Sequence, residues 1–249
     1  MTKVKAVCHV HSDWSYDGTW PLEKLVKVFG RLGIGAILTT EHERGFDETR
    51  WANYRNACRE ASNDKVKVVP GLEYSDKTNT VHILTWGAVP FLGVEQETGE
   101  LLKGVSKFGG VAVLAHPDCR EAWEKFELSW AKHLRYIEVW NRKFDGFSPS
   151  QKGLELLSAY NQISPLVGMD FHCGKQLFPL SMIVKLNGTI NEQAVFKSFF
   201  EGRVCPSVWG LPLSCFTGRT GIKATKWIEC SRRNLLRVIR EIKRDVKIV

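Results

Sequence analysis

Apolar runs of strand length alternate with amphipathic stretches of helix length along most of the chain. We predict strands at 4–10, 36–40, 66–69, 81–86, 111–115, 136–140 and 166–169, and helices at 22–32, 48–61, 96–107, 121–134 and 150–162. This alternation is typical of a parallel α/β architecture. Seven strands fit a closed barrel more easily than an open sheet, although periodicity alone does not prove closure.

The composition is that of a globular protein, with 249 residues of which 43% are hydrophobic. No stretch approaches the roughly 18 apolar residues of a membrane-spanning helix, and no run of signal-peptide length opens the chain. The cysteines are odd in number, seven, and no two have the CxxC spacing, so we interpret them as free thiols. The sequence therefore predicts a cytoplasmic protein without a membrane partner.

Positive charge is concentrated at the C-terminal end. Residues 219–249 contain ten Lys or Arg and three Asp or Glu, whereas the preceding part is nearly neutral. Apolar residues recur at helical spacing in this segment, at Leu235, Ile239, Ile242 and Val246. We therefore predict a barrel domain at 1–218 and a basic amphipathic helix at 219–249 that docks on the barrel. Two interpretations of the helix remain open, simple packing with its cationic stems over the barrel, and contact with nucleic acid or another acidic partner.

Histidines and carboxylates accompany the predicted strands. Six of the seven histidines lie in or just after a strand, namely His9, His11, His42, His82, His116 and His172, and only His133 lies in a predicted helix. The carboxylates in similar positions are Asp17, Glu73, Glu138 and Asp170. In a parallel barrel, residues at the C-terminal strand ends converge on one site. Imidazole and carboxylate groups are ligands of Zn, Mn and Fe, so the pattern predicts a metal site there.

Two short motifs support this prediction. His9-Val10-His11 and Asp170-Phe171-His172 each place two ligand-type side chains two residues apart. On a regular strand such residues share a face, so each pair could bind one cation. The alternative is that each histidine is an ordinary core or surface group, which is more plausible for one histidine than for all six.

The segments that contain these residues run in order over residues 4–175. They are His9-Val10-His11-Ser12, Ser15-Tyr16-Asp17-Gly18, Thr40-Glu41-His42, Gly71-Leu72-Glu73, Val81-His82-Ile83-Leu84, Ala115-His116-Pro117 and Gly168-Met169-Asp170-Phe171-His172. In this order they resemble the polymerase and histidinol phosphatase (PHP) family of metal-dependent phosphoesterases. The resemblance implies an α/β fold, a distorted seven-stranded (β/α)7 barrel of the PHP type, here with a C-terminal basic helical extension.

The resemblance also implies two or three divalent metal ions, Zn, Mn or Fe, and their ligands. One ion would be held by His9, His11, Glu73 and Asp170, a second by His82, His116 and the bridging Glu73, and a third by Asp17, His42 and His172. Two segments depart from the family pattern. Val7-Cys8-His9 replaces Asp-aromatic/Leu-His and Thr40-Glu41-His42 replaces Thr-Asp-His, which changes the groups that orient the ligands. We interpret Cys8 and Cys173, which adjoin ligands, as packing residues.

Clustered metals can activate water for attack on a phosphate ester. We expect catalytic roles for Glu73, Asp170 and His172, with Asp170 or His172 accepting or relaying a proton. Basic residues after the strands are candidates for substrate binding, and we favour Arg44, Arg142 and Lys175 over Arg120 and Lys143. Trp14 and Trp140 are candidates for stacking on a base or sugar, although core packing is the commoner role of tryptophan.

The sequence thus predicts a metal-dependent phosphoesterase. The basic tail and the two tryptophans favour nucleotides or short nucleic acids as substrates. Two alternatives remain, a phosphomonoesterase for a small metabolite such as histidinol phosphate, and a metal-stabilised module that binds nucleic acid or a protein partner.

Overall fold

The structure is a computed structural model that describes the backbone of residues 2–246 and the side chains of residues 2–239. The side chains of Ile242 and Val246, which belong to the predicted apolar stripe, lie outside the described residues. The strands are β1 (Thr2–Val10), β2 (Ala36–Thr39), β3 (Glu41–His42), β4 (Lys67–Val69), β5 (Gly71–Ser75), β6 (His82–Trp86), β7 (Val111–Leu114), β8 (Tyr136–Asn141), β9 (Ser164–Gly168), β10 (Leu180–Leu186), β11 (Val204–Val208) and β12 (Leu211–Pro212). The helices are α1 (Leu22–Arg31), α2 (Glu48–Ala61), α3 (Thr98–Lys107), α4 (Gln151–Ala159), α5 (Glu192–Phe200), α6 (Ser214–Thr217) and α7 (Arg219–Val246).

The strands form two six-stranded sheets. The first has the order β12-β11-β10-β1-β2-β4, and the second has the order β3-β5-β6-β7-β8-β9. Pairing is parallel for β1-β2-β4, β3-β5 and β7-β8-β9, and antiparallel for β5-β6-β7 and for β1-β10-β11-β12. The architecture is therefore mixed α/β. The expectation of parallel pairing is wrong for β5-β6-β7 and for β1-β10-β11-β12.

Backbone continuity joins the two sheets at one side. Strand β2 passes into β3 across Thr40, and β4 passes into β5 across Pro70. The Thr40 N–H donates to the Val10 carbonyl at 2.9 Å. Proline has no N–H to donate, which interrupts the ladder where the chain changes sheet.

Hydrogen bonds connect the edge of the second sheet at β9 to β1, an interior strand of the first sheet. The segment that follows β9 runs beside the end of β1, where Met169 N donates to Cys8 O at 3.0 Å, Phe171 N to His9 O at 3.0 Å and His11 N to Phe171 O at 2.8 Å. Since the ladders form two sheets, a continuous seven-stranded barrel stays a prediction.

All seven predicted strands occur, but five further strands were not predicted. The most important of these is β5, because the pattern suggested that the strand ends at residue 69, before Pro70. The predicted helix at 121–134 is wrong. The chain there forms short 3-10 helices at Cys119–Lys125 and Leu128–Trp130, and Arg120 and Glu121 have positive φ, which an α-helix cannot include.

Helices α2, α4 and α5 begin after a residue whose side chain caps them. Asp47 accepts from Arg50 N at 2.7 Å before α2, Ser150 from Gly153 N at 2.8 Å before α4, and Asn191 from Ala194 N at 2.7 Å before α5. No helix within residues 2–246 combines the length and apolar character needed to cross a lipid bilayer. All seven cysteines are free thiols.

Helix α7 contacts the loop before α4 through its first half. Thr225 and Glu229 are buried, and Glu229 accepts from Phe147 N at 3.0 Å. The Lys226 ammonium donates to Gln151 Oε1 at 2.8 Å. Trp227 on the same helix is 71% exposed. The docking of the helix on the barrel and its division from the barrel as a domain stay predictions.

Candidate metal centre

Glu73 in β5 lies at the centre of a cluster of imidazole groups, and its side chain is buried. Its Oε1 lies 2.7 Å from His82 Nδ1 and 3.2 Å from His116 Nε2. Its Oε2 lies 3.4 Å from His9 Nε2, 3.3 Å from His11 Nε2 and 3.3 Å from His42 Nδ1. One carboxylate therefore faces two groups of histidines, one at each oxygen.

Asp170, which follows β9, forms a second contact centre. Its Oδ1 lies 3.8 Å from both His9 Nε2 and His11 Nε2, and 3.2 Å from His172 Nδ1. Its Oδ2 lies 3.9 Å from His116 Nε2. Asp170 thus faces histidines from both sides of the cluster.

Asp17 completes the cluster at its more exposed edge. Its Oδ1 lies 3.4 Å from His42 Nε2, and its Oδ2 lies 3.0 Å from His172 Nε2. All nine predicted metal ligands are therefore brought together. Three overlapping groups have ligand atoms within 4.8 Å of one another and could hold a metal ion, namely His11, Asp17, His42 and His172; His9, His11 and Asp170; and His9, Glu73 and His116.

Unusual backbone conformations place three of these side chains. The φ angles of His9, His116 and Asp170 are 58°, 25° and 48°, in the left-handed region that disfavours residues with a side chain. At His9 the register between β1 and β2 shifts, so β1 is bulged and not regular there. The same-face argument for the His9 and His11 pair is therefore wrong in its geometry, although both imidazoles enter the cluster. Such strain is concentrated at functional sites.

Buried atoms without partners show that this donor set fits a cation. His9 Nε2, His11 Nε2, Asp17 Oδ1 and Glu73 Oε2 are buried and have no hydrogen-bond partner among the described residues. Buried polar atoms are almost always satisfied, and each exception costs about 1–3 kcal/mol. Imidazole nitrogens and carboxylate oxygens that converge in this way are satisfied together by divalent metal ions.

The electrostatics differ among the histidines. Burial lowers the pKa of His9 and of His42, but the neighbouring carboxylates raise both above the usual value. Burial lowers the pKa of His11 to about 3, so its imidazole is neutral near pH 7 and its lone pair is available to a metal. Burial opposes ionisation of Glu73, but the charges of His9 and His82 hold its pKa well below the usual range. Burial likewise opposes ionisation of Asp17, but the neighbouring His172 and His42 imidazoles hold its pKa below the usual range.

Glu138, at the end of the sixth predicted strand, positions the candidate ligands His9 and His116. Its fully buried carboxylate accepts from His116 N at 2.8 Å and from Asn141 Nδ2 at 2.8 Å, and its Oε1 lies 3.1 Å from His9 Nδ1. The sequence indicated Glu138 only as one more carboxylate at a strand end. Its role depends on contacts between distant strands, which spacing does not reveal.

Glu41, which stands where the Thr-Asp-His pattern has Asp, is fully buried, and both of its carboxylate oxygens accept hydrogen bonds. It accepts from Ser12 N at 3.0 Å, Ser12 Oγ at 2.6 Å, Ser15 Oγ at 2.5 Å and Tyr54 OH at 3.0 Å. Ser15 Oγ also accepts from His42 N at 3.0 Å. The longer glutamate therefore anchors the loop beside His11 and the backbone of His42.

The basic residues differ in how they approach the centre. Lys143 reaches it, because its Nζ lies 3.2 Å from Asp170 Oδ1 and 3.4 Å from His172 Nε2. Arg44 pairs with Glu95 at 3.3 Å, and Lys175 is exposed on the short helix at Gly174–Gln176. The Arg142 guanidinium lies against the rings of Phe147 and Phe178, 4.9 and 5.1 Å from their centroids. Arg120 donates to the carbonyl of Asn79.

The two candidate stacking tryptophans are used in packing. Trp140 is fully buried, and its Nε1 donates to Gly146 O at 3.1 Å. Trp14 packs against Phe46 and Tyr54. Trp14 is half-buried. An exposed ring at the metal centre belongs to Tyr16, which stacks on His42 with centroids 5.0 Å apart.

In comparisons with known proteins, this chain is similar to solved structures in its three-dimensional fold. No protein-family model matches the chain, and no curated protein does. The solved structure of PsfC from Pseudomonas syringae PB-5123 has a TM-score of 0.59 at 13% identity, covering 94% of this chain and all of that one. The likeness is one of fold.

Two further solved structures carry the names of hydrolases. A protein from Bifidobacterium adolescentis ATCC 15703, named as a metal-dependent phosphoesterase, has a TM-score of 0.50 at 17% identity and covers 80% of this chain and 94% of its own. An amidohydrolase from Chromobacterium violaceum, solved with sulfate and no metal, has a TM-score of 0.51 at 14% identity and covers 80% and 96%. The chain therefore shares its fold with proteins named as hydrolases.

Proposed function

We propose that the protein is a metal-dependent phosphoesterase of the PHP type. In this proposal β1 to β9 form a distorted seven-stranded barrel, with β2 and β3 counted as one strand and β4 and β5 as another. The observation that carries the proposal is the convergence of five imidazoles on Glu73, with four buried ligand-type atoms that have no hydrogen-bond partner among the described residues. The order of the motifs and the phosphoesterase named among the structural neighbours support it.

The ligands divide into three groups in this proposal. His9, His11, Glu73 and Asp170 would hold one ion; Glu73, His82 and His116 would hold a second; and Asp17, His42 and His172 would hold the third. Divalent Zn, Mn or Fe at these positions would supply a nucleophile from water at neutral pH and neutralise the phosphoryl oxygens.

The reaction is hydrolysis of a phosphate ester. The oxygen of water bonds to phosphorus, the bond between phosphorus and the ester oxygen breaks, and a proton passes to the departing alcohol. Asp170 or His172 is placed to hold or deliver that proton, since His172 Nδ1 lies 3.2 Å from Asp170 Oδ1. Lys143, whose ammonium lies beside Asp170, can hold a phosphoryl oxygen. Arg44 and Lys175 remain candidate substrate-binding residues at the rim.

Nucleotides or short nucleic acids are the proposed substrates, and a small phosphorylated metabolite is the alternative. The basic surface of α7 supports the former, because Arg233 and Arg237 are exposed on it. Phosphate contacts make binding strongly dependent on salt. If α7 binds nucleic acid, Arg233→Gln with Arg237→Gln should weaken oligonucleotide binding at low salt and reduce the salt slope. Unchanged affinity and slope would limit α7 to packing.

Phosphate release from a panel of esters tests the proposed activity. The panel contains nucleoside monophosphates, short oligonucleotides, sugar phosphates and amino-alcohol phosphates, with added Mn or Zn and with chelator. We expect activity that chelator removes and that His9→Ala and Asp170→Asn lose while remaining folded. His133→Ala is the matched control, because His133 bonds Ser106 outside the cluster, and it should keep full activity. Normal turnover by His9→Ala, or no turnover by metal-loaded protein, would refute the proposal.

A further inference from the structure

An exposed aromatic ring lies at the edge of the metal centre. The Tyr16 side chain is 74% exposed, and its ring is nearly parallel to that of His42, at 20° and 5.0 Å between centroids. His42 therefore covers one face of the Tyr16 ring. The exposed area must come largely from the other face and the edge, which are turned to solvent.

This ring is the end of a continuous row that crosses the cluster. The His42 ring lies 4.4 Å from that of His11, and the His11 ring lies 4.1 Å from that of His172. Tyr16 also directly precedes Asp17 in the chain. A group stacked on the open face of Tyr16 would consequently be separated from His42, a candidate ligand, by the Tyr16 ring alone.

A cation lies at the same cluster. The Lys143 Nζ lies 3.2 Å from Asp170 Oδ1 and 3.4 Å from His172 Nε2. A molecule that combines an anionic phosphoryl group with a planar apolar ring would meet both the Lys143 ammonium and an open aromatic face here.

Other aromatic side chains are less suited to this contact. Trp14 and Trp140 are used in packing, as described above. Phe144 lies near His116 with centroids 4.7 Å apart, but it is only 39% exposed, and the Lys143 ammonium lies 5.4 Å from its ring. Tyr16 is thus the ring whose free face is best presented to a ligand of the cluster.

We propose that the open face of Tyr16 stacks on the nucleobase of the substrate, so that the site selects nucleoside phosphates over sugar phosphates of the same length. This inference rests on the proposed phosphoesterase function and narrows its substrate class. Stacking of a base on an aromatic side chain tolerates different bases, because every base has a π face. A tyrosine platform therefore selects for the presence of a base and not for its sequence.

A matched pair of ligands isolates the contribution of the base. The probes are the phosphonate analogues of adenosine 5′-monophosphate and ribose 5-phosphate, in which a CH2 group replaces the ester oxygen and prevents hydrolysis. Binding of each to the manganese-loaded protein is measured by calorimetry, and the ratio of the two dissociation constants is compared between variants. Circular dichroism and metal content verify that each variant is folded and loaded.

We expect the wild-type protein to bind the adenosine analogue about 5- to 100-fold more tightly than the ribose analogue. Tyr16→Phe keeps the ring and should keep this ratio, whereas Tyr16→Leu should bring it close to one. Phe108→Leu is the control, because Phe108 is 45% exposed at the end of α3, before β7 begins, and should leave the ratio unchanged.

A ratio near one in the wild-type protein, or a ratio that Tyr16→Leu leaves unchanged, would overturn the inference. The ester panel separates this failure from failure of the proposed function. If esters are hydrolysed without preference for a base, only the stacking role of Tyr16 is refuted. If no ester is hydrolysed, the phosphoesterase proposal fails, whatever the binding ratio.

Discussion

Glu138 Oε1 lies 3.1 Å from Nδ1 of His9, and both side chains are completely buried. When the carboxylate accepts the Nδ1 proton, the lone pair of His9 Nε2 is directed at Glu73 and Asp170. The same carboxylate accepts from the backbone of His116, a histidine on the other side of the cluster. Glu138 therefore positions histidines from two strands, β1 and the end of β7.

We expect Glu138→Gln to weaken metal binding without removing a ligand. An amide can donate to His9 Nδ1 or accept from it, so the tautomer is no longer fixed, and loss of such outer partners typically costs 10- to 100-fold in metal affinity. Metal content after dialysis against graded chelator concentrations measures the change. Glu155→Gln, at an exposed position on α4, should behave as the wild type. Equal metal retention by both variants would exclude the orienting role.

Gly168, at the end of β9, has no side chain, and the Glu138 carboxylate occupies the space that a Cβ there would fill. A Cβ at this position would lie 1.9 Å from Glu138 Oε1 and 2.8 Å from His9 Cβ, both in a fully buried region. Gly168→Ala should therefore destabilise the protein by about 1–3 kcal/mol and reduce metal binding, because the carboxylate must move. Gly218→Ala is the matched control, since nothing lies within 4 Å of a Cβ placed at this position and the φ of Gly218 is −71°. Urea unfolding of both variants measures the difference.

The strand-end pattern predicted that the histidines and carboxylates converge, because side chains at strand ends are brought together by any fold of this class. The resemblance to the PHP family implied which nine of them are ligands. The patterns did not predict the backbone that aims them. The left-handed φ of His9 and Asp170 depends on hydrogen bonds between β1 and the segment after β9, 160 residues apart in the chain. No local signal in the sequence encodes such a contact.

The groups around the ligands were the hardest to predict. Lys143 and Arg142 are neighbours, yet Lys143 reaches Asp170 while Arg142 packs against phenylalanine rings. Charge and loop position are equal for the two residues, so only packing distinguishes them. Trp140 was a candidate for stacking on substrate, with core packing as the commoner role, and its ring on β8 is buried in the core.

Metal removal should lower the stability of the folded protein. Buried imidazoles and carboxylates that lack partners are satisfied by a cation, and a ligand at 100 times its dissociation constant adds about 2.7 kcal/mol to the free energy of unfolding. For a chain of this size we expect chelator to lower the Tm by about 5–10 °C. His11→Ala should reduce the change in Tm that chelator causes. A Tm that chelator does not change would argue against a tightly bound metal.

Lys143 should contribute more to catalysis than the rim residues. Its ammonium lies 3.2 Å from Asp170 Oδ1, whereas Lys175 is exposed. We expect Lys143→Met to lower kcat/KM for a phosphate ester by about 10- to 100-fold, which is the effect of losing one charge-assisted hydrogen bond. Lys175→Met is the size-matched comparison, and its loss should be smaller. If the Lys175 variant is the more impaired of the two, the rim residue is the principal phosphate contact.

Glu229 on α7 should make stability depend on pH in the acidic range. Burial opposes its ionisation, but hydrogen bonds from Arg232 and Arg233 lower its pKa to about 2, below the ordinary value of 4.5. A lowered pKa in the folded state adds stability that is present above pH 4.5 and lost as the pH falls towards 2. Glu229→Gln should therefore reduce the free energy of unfolding most at neutral pH, and the difference from wild type should shrink on acidification. Urea unfolding of chelator-treated protein across this range measures it, since metal release then makes no contribution. A difference independent of pH would mean that Glu229 stabilises the docking of α7 through the hydrogen bond from Phe147 N and not through its charge.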